Sequence, residues 1–449
     1  SAIKADEITA FAVSNPIQAL QGRVPGVVLS QNTGDPSGDY SIRIRGVNSI
    51  KGDNAPLYII DGIPASTSSV NTYDIESMEI LKDASATAIY GSRGANGVVM
   101  ITTKKGKTGK TTVSYDFEYG FQKQIKKLDL MNAREWGRFY NEYLVNADIL
   151  SEAPFSEADI AAMGKGVDWQ SEVFQNAPIS NHNINVSGGT DNVRYFISGS
   201  AMMKDGLIHN SSYDKYNLRS SLDLKMSKMV SASLNMGYSL INQMNQSDGG
   251  GNGGSSMIGA TYSAAPVFYP YDENGDYKDL RSWSSHEIKN PICMAYESTY
   301  KTVTNLTNIN AAINFQPVKG LSVKATFGLE GSDSRYDAYT TKKYIYQNNS
   351  ASVNHKRSTN VINVNYDFTV NKIHSFNLMG GFTYQQNVYK SIAASGNTFL
   401  SDVQQTNNLS SAGTVNTPST SYSKWALMSY LGRINYSFNG KYLVTASFR

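Results

Sequence analysis

From Thr112 onward, apolar and polar residues take strict turns. Val113, Tyr115, Phe117, Tyr119 and Phe121 alternate with Thr112, Ser114, Asp116, Glu118 and Gly120, so one face is apolar and aromatic and the other polar or small. A period of two belongs to the β-strand, whose successive side chains point to opposite faces. The alternation returns at Ile184/Val186, Val193/Tyr195/Ile197, Tyr216/Leu218/Leu222/Leu224 and Ala232/Leu234/Met236/Tyr238. It continues at Ile309/Ala311/Ile313/Phe315, Leu321/Val323/Ala325/Phe327, Ile362/Val364/Tyr366/Phe368 and His374/Phe376/Leu378. Ala426/Met428/Tyr430/Ile434/Tyr436 and Tyr442/Val444/Ala446/Phe448 bring the total to eleven predicted strands.

The connections narrow the architecture. Tight turns are expected at Thr190-Asp191-Asn192, Met226 to Met229, Pro317 to Gly320, Asn371-Lys372 and Asn439-Gly440, the last being the strongest short hairpin signal. The alternate connections run to about 56, 60, 25 and 36 residues, with one of about a dozen, strand ends being good to a few residues. Short turns at one end and long loops at the other describe an outer-membrane barrel. A soluble sandwich or β-solenoid also alternates, but its outward face meets water and carries Lys, Glu and Asp. Here the polar face is mostly Ser, Thr, Asn and Gly, as a crowded wet lumen requires.

Composition agrees. Charged residues are only 17% of the chain, against about a quarter in ordinary soluble proteins. Tyrosine dominates the aromatics, 29 Tyr against 16 Phe and 4 Trp, as expected of interfacial girdles. No run of about 18 apolar residues exists to form a transmembrane helix. A net charge of +3 without a Lys/Arg block argues against a nucleic-acid partner. A single cysteine, Cys293, allows no internal disulfide and no Cys-based zinc site, and the five histidines lack metal-ligand spacing. No metal, cofactor or positioned catalytic group is expected, which argues against an enzyme.

Residues 1–110 read differently. Short apolar pieces (Val27 to Leu29, Ile42 to Ile44, Leu57 to Ile60, Val98 to Ile101) mix with helix-like pieces ending near Gly22 and covering Asp83 to Tyr90. This predicts a small α+β domain, followed by the polar linker Lys104 to Lys110 and, over 111–449, the strand-rich domain. The glycines of Tyr90-Gly91-Ser92-Arg93-Gly94-Ala95-Asn96-Gly97 match neither the dinucleotide fingerprint nor the Walker pattern, and read as a tight turn.

Several segments stand in order: Leu20-Gln21-Gly22-Arg23-Val24-Pro25-Gly26-Val27, Ile42-Arg43-Ile44-Arg45-Gly46, Leu57-Tyr58-Ile59-Ile60-Asp61-Gly62-Ile63-Pro64 and the long run from Asp74 through Lys82-Asp83-Ala84-Ser85 to Gly97-Val98-Val99. They resemble the plug domain of SusC/RagA-like TonB-dependent outer-membrane transporters of Bacteroidetes. The similarity continues at Leu130-Met131-Asn132-Ala133-Arg134-Glu135, Val167-Asp168-Trp169-Gln170 and Ser187-Gly188-Gly189. The resemblance implies an all-β antiparallel transmembrane barrel with an N-terminal α+β plug, about half of a 22-stranded barrel being present. The expected chain is incomplete at both ends, with the TonB-recognition segment preceding Ser1.

The resemblance also implies TonB-dependent import of a large nutrient, an oligosaccharide or a peptide. The implied partners are a SusD-like surface lipoprotein, TonB with ExbB and ExbD, outer-membrane lipid, and a second transporter–lid pair in a dimer. A non-energised glycan-binding protein or adhesin of the outer membrane is the alternative. In the wider family two basic plug residues face wall glutamates. Arg45 and Lys82 stand at those places; Glu118 and Glu330 are the candidate luminal partners within this chain, the alternative being that the family's partners lie beyond residue 449. Lys82 departs from the usual Arg, which weakens bidentate pairing. Ligand or lid contacts are expected from the loop Asn242 to Lys301, through Tyr262, Phe268, Tyr269, Tyr271, Tyr277 and Trp283. Two helices are expected in the loop after the first wall strand, one capped by Asn132 and one opened by Ser156 with Asp159.

Overall fold

The computed structural model describes residues 2–9, 15–31, 35–37, 40–47, 49–83, 87–246, 256–281, 288–318, 320–370, 374–438 and 441–449. The N-terminal part holds a five-stranded sheet and a two-stranded ribbon. The sheet contains β1 (Ala2–Lys4), β4 (Leu57–Ile60), β5 (Ile63–Pro64), β6 (Ile75–Leu81) and β7 (Val98–Thr103), in the order β1-β6-β7-β4-β5. The ribbon pairs β2 (Val27–Gln31) with β3 (Tyr40–Ile44). Ile17, Leu20, Ile42, Ile44, Ile75, Met78, Val99 and Ile101 pack into one core between ribbon and sheet. Each such side chain removed from water contributes about 1.5–3 kcal/mol, which lets a domain this small hold together.

Two turns set the course of the plug backbone. Asp61 and Gly62 join β4 to β5 with φ of 50° and 90°. Positive φ at both centres is the hairpin geometry that Asp-Gly adopts readily. Gly97 leads into β7 at φ 90°, and a Cβ there would stand 2.8 Å from Ile44 Cδ1. At the helix expected over Asp83 to Tyr90, Thr87 is α-helical with its N–H on the Asp83 carbonyl at 3.0 Å, and a 3-10 stretch follows, Ala88–Gly94, interrupted at Gly91 with φ 61°. Residues 84–86 lie outside the described residues.

The rest is one antiparallel meander. Its strands are β8 (Gly109–Gln122), β9 (Ala177–Gly189), β10 (Val193–Asp205), β11 (Ser212–Lys225), β12 (Val230–Asn245), β13 (Ser298–Val318), β14 (Leu321–Thr340), β15 (Ser350–Val370), β16 (His374–Phe399), β18 (Ser419–Phe438) and β19 (Tyr442–Phe448). The short β17 (Ala412–Val415) joins the far end of β16. Each of the eleven path strands pairs with its neighbour in the chain, and β8 and β19 are the two edges of this sheet. The fold is a plug beside part of a barrel wall.

The alternation read from the sequence has its physical cause in this wall. On β8 the outward residues Val113, Tyr115, Phe117, Tyr119 and Phe121 are 54–68% exposed. On β9 the inward Asn181 and Asn183 are buried against the N-terminal domain. Polar atoms on the outward face satisfy one another, as the Tyr115 hydroxyl does with His182 Nδ1 at 2.8 Å. The strands outrun the alternation: β16 has 26 residues, a contour of about 85 Å at 3.3 Å per residue. An apolar band is only about 25 Å tall, so β13 to β16 stand well beyond it and build a high mouth.

Candidate functional site

The described tight turns fall at one end of the wall, and the expected turns Asn371-Lys372 and Asn439-Gly440 lie outside the described residues. At the other end the long connections fold together. Val167, Trp169 and Val173 from the β8–β9 connection, Ile208 from β10–β11, Met257, Phe268, Leu280 and Ile292 from β12–β13, and Tyr344 from β14–β15 share one apolar core. The helix Ala133–Asn146 is capped by Asn132, whose side chain accepts from Arg134 and Glu135 N–H while Glu135 returns the bond. The helix Glu157–Ala162 carries the same reciprocal cap through Ser156 and Asp159. The Trp169 indole donates to the Ala265 carbonyl at 3.1 Å, tying two connections across this core. Cys293 is buried here, and burial pushes its thiol up to about 11.

This loop body sorts the aromatic residues expected to contact ligand or lid. Phe268 is a core residue, 8% exposed, with Lys278 Nζ 5.0 Å from its ring centre. Packing between loops, not ligand contact, is what its surroundings satisfy. Tyr277 is held from both sides: its hydroxyl donates to Glu297 Oε1 at 2.9 Å and its ring lies 5.2 Å from Tyr271. Tyr269 and Tyr271 are exposed at the mouth. Tyr262 lines a cavity of about 800 Å³ with Gln18, Asp35, Tyr40, Phe174 and Lys204, between the plug apex and the loop body. Trp283 lies outside the described residues. Asp35 and Lys204 escape a sequence reading because only the fold brings plug residue and wall residue together.

The plug meets the wall along a strap, residues 61–74, and at points outside it such as Asp35, Arg93 and Thr103, and many of these contacts are polar. Arg219 on β11 donates from Nη1 to the Lys104 carbonyl at 2.9 Å and from Nη2 to the Thr103 hydroxyl. Its Nη2 stands 3.7 Å from Asp61 Oδ2, with both side chains about nine-tenths buried. The Asp61 carboxylate also accepts from the Thr103 N–H at 3.0 Å and the Thr103 hydroxyl at 2.6 Å. Asn310 Nδ2 donates to the Asp61 carbonyl at 3.0 Å, and Lys215 Nζ to the Val70 carbonyl at 3.0 Å. Asn71 donates to Asn183 Oδ1 at 3.2 Å. Nearer the mouth, Asp35 accepts from Gln243 at 3.0 Å and Asn245 at 2.7 Å. Gly328 on β14 lies flush against Ile63, where any Cβ would collide.

Of the four residues expected to lock plug to wall, two sit in contacts within the plug and two, both on the wall, touch it. Arg45 pairs with Asp83 inside the plug at 2.7 Å, both side chains well exposed. Its neighbour Lys82 donates to the Pro25 carbonyl, also inside the plug. Glu330 does touch the plug, but through a backbone donor: Ser66 N–H reaches Oε1 at 2.8 Å. Glu118 lies against Tyr73, whose phenol is pushed up first by burial and then by this carboxylate. The expected polarity, plug cations on wall carboxylates, is therefore not what joins these four. Within the described residues the buried plug–wall ion pair has the cation on the wall. Arg219 is hidden in the sequence because a luminal Arg on an alternating strand looks like any other polar residue of that face.

No group of three or more His, Cys, Asp or Glu side chains with metal-binding geometry occurs among the described residues. What the arrangement can do is mechanical and selective: close a wide passage with a removable domain and present an aromatic, polar mouth above it. A plug stapled inside a tall antiparallel wall, with turns at one end and a packed loop body at the other, defines the class of plugged outer-membrane β-barrels.

Comparison with known proteins shows what the chain resembles. Residues 1–98 match the TonB-dependent receptor plug domain. Over its whole length the chain is 34% identical to TonB-dependent receptor P3 of Formosa agariphila, covering 44% of that relative. It is 29% identical to TonB-dependent receptor SusC of Bacteroides thetaiotaomicron, covering 46% of it. Among solved structures, the RagAB peptide importer in its closed-closed state superposes on all of the chain with a TM-score of 0.81 at 25% identity, over 54% of that chain. Over its whole length the chain is thus similar to TonB-dependent receptors, SusC among them. It spans a little under half the length of these curated relatives.

Proposed function

We propose that the full-length protein imports a large nutrient, an oligosaccharide in the first instance, across the outer membrane. TonB, energised through ExbB and ExbD, draws on the plug from the side of the tight turns. A SusD-like surface lipoprotein closes over the loop body, and transporter–lid pairs associate as dimers. The observation that carries this reading is the plug itself, a separately folded domain held against the wall by polar staples. A binding protein or adhesin has no use for a domain that fills its own lumen. A barrel wide enough for an oligosaccharide needs one, because an unplugged lumen of that width leaks.

Tyr269, Tyr271 and Tyr262, at the mouth and the cavity below it, are the proposed ligand or lid contacts. Aromatic faces stack on sugar rings and pack on peptides, and the two ligand classes are separated by experiment. The full-length protein is deleted in its host, and uptake of defined oligosaccharides and defined peptides is compared with the parent strain, with and without a protonophore. The expected result is loss of oligosaccharide uptake on deletion and its collapse on de-energisation. Peptide uptake lost instead would replace the substrate class. Surface binding that survives de-energisation, with no uptake to lose, would establish the adhesin reading.

A further inference from the structure

We propose that Arg219 of the wall is the positioning residue that keeps the plug seated. In this lock the plug supplies the carboxylate, Asp61, and the wall supplies the cation. Three observations converge on it. First, Arg219 reaches the adjacent carboxyl ends of the parallel strands β4 and β7 at once. Asp61 sits in the β4–β5 turn, while Thr103 and Lys104 end β7 just before the chain enters β8. A single guanidinium thus closes a ring between the plug, the connection to the wall and the wall itself. The planar fork divides the work, Nη1 serving Lys104 and Nη2 facing Thr103 and Asp61, where a lysine would bring all its donors on a single nitrogen.

Second, the pair is desolvated. The Asp61 and Arg219 side chains are about 10% and 8% exposed, and the Phe196 ring lies 5.6 Å from the guanidinium carbon. Removing one partner of such a pair takes away a charge that offsets the other's burial, Asp74 being a further buried carboxylate within the field of Arg219, and is costlier than loss of an exposed pair. The Arg45–Asp83 pair, exposed and internal to the plug, has neither property. Third, Lys215, two turns of the alternation earlier on the same strand face, clamps the Val70 carbonyl farther along the strap. Two wall cations four residues apart therefore grip the plug at two points.

The inference rests on the plugged-barrel reading. It is tested by sealing and plug release, with no import measured, so its failure is distinct from failure of the transport proposal. Full-length protein is expressed in its host outer membrane, and barrel assembly is verified by heat-modifiable migration. Arg219→Met, Asp61→Asn, their double variant and Arg45→Met are compared. Two quantities are read: entry of a glycopeptide antibiotic too large for ordinary porins, and the rate of trypsin cleavage within the plug of purified protein. Arg219→Met and Asp61→Asn should each raise both by roughly tenfold or more, as expected when a buried charge loses its partner. The double variant should be no worse than the worse single, because it removes both charges together. Arg45→Met, which breaks an exposed pair, should change both far less than Arg219→Met. If Arg219→Met does not assemble, Asp61→Asn, which leaves the wall untouched, decides alone. Wild-type sealing in Asp61→Asn, additive effects in the double variant, or equal leakage from Arg45→Met would each overturn the proposal.

Discussion

Asp74 is the most constrained carboxylate of the plug. It ends the strap, is 2% exposed, and its Oδ1 has no hydrogen-bond partner among the described residues. Burial raises its pKa above the ordinary carboxylate value of 3.8, and the charges of Arg219, Lys104 and Lys215 only partly offset this. A raised folded value means that the protonated form fits the site better. The stability this group contributes is then fully present below the unfolded value and lost as pH rises through the folded one. Asp74→Asn, neutral at every pH, should therefore protect plug amides from hydrogen exchange better than wild type at pH 7. The difference should shrink as pH falls towards 3.8. Poorer protection in the variant at pH 7 would mean that the neighbouring cations outweigh burial.

At the scale of elements, the wall and the caps are legible in the sequence and the loop body is not. A strand between lipid-like and luminal surroundings writes its two faces into every second residue, so the wall strands can be counted from Val113, Tyr115, Phe117 and their successors. Asn132 and Ser156 can be read as caps because a cap is satisfied within three residues. Phe268 cannot be placed, because its core is assembled from four connections far apart in the chain. The lock escapes the sequence for a related reason: the motif around Arg45 fixes the plug's own turn, whereas Asp61 and Arg219 meet only through the fold. The loop body has a measurable consequence. Phe268→Ala should destabilise it by about 3–5 kcal/mol, seen as faster proteolysis of residues 257–297 in full-length protein. Tyr269→Ala, at an exposed position, should stay within about 0.5 kcal/mol of wild type and change uptake instead. Equal proteolysis of the two variants would refute the separation of core from contact.

For the whole molecule, the order β1-β6-β7-β4-β5 sets the direction in which the plug yields. β1, nearest the amino end, occupies one edge and meets β6 through only three residue pairs, Ala2 with Glu79, Ile3 with Met78 and Lys4 with Ser77. β4 and β5, at the opposite edge, carry the Asp61 turn and lead into the strap fixed to the wall. Pulling the amino end of the full-length protein in an optical trap should give a first, low-force event whose contour gain matches release of the chain ahead of Asp35, which Gln243 and Asn245 hold to the wall. The residues from Asp61 onward should yield only at higher force. A single event that frees the whole plug would contradict this. The geometry is that of a zip fastener with its slider at the free end. An edge strand loaded from its tip breaks its hydrogen bonds one after another, while the stapled edge shares its load among an ion pair and several polar contacts. One domain can therefore give way easily where it is pulled and hold where it seals.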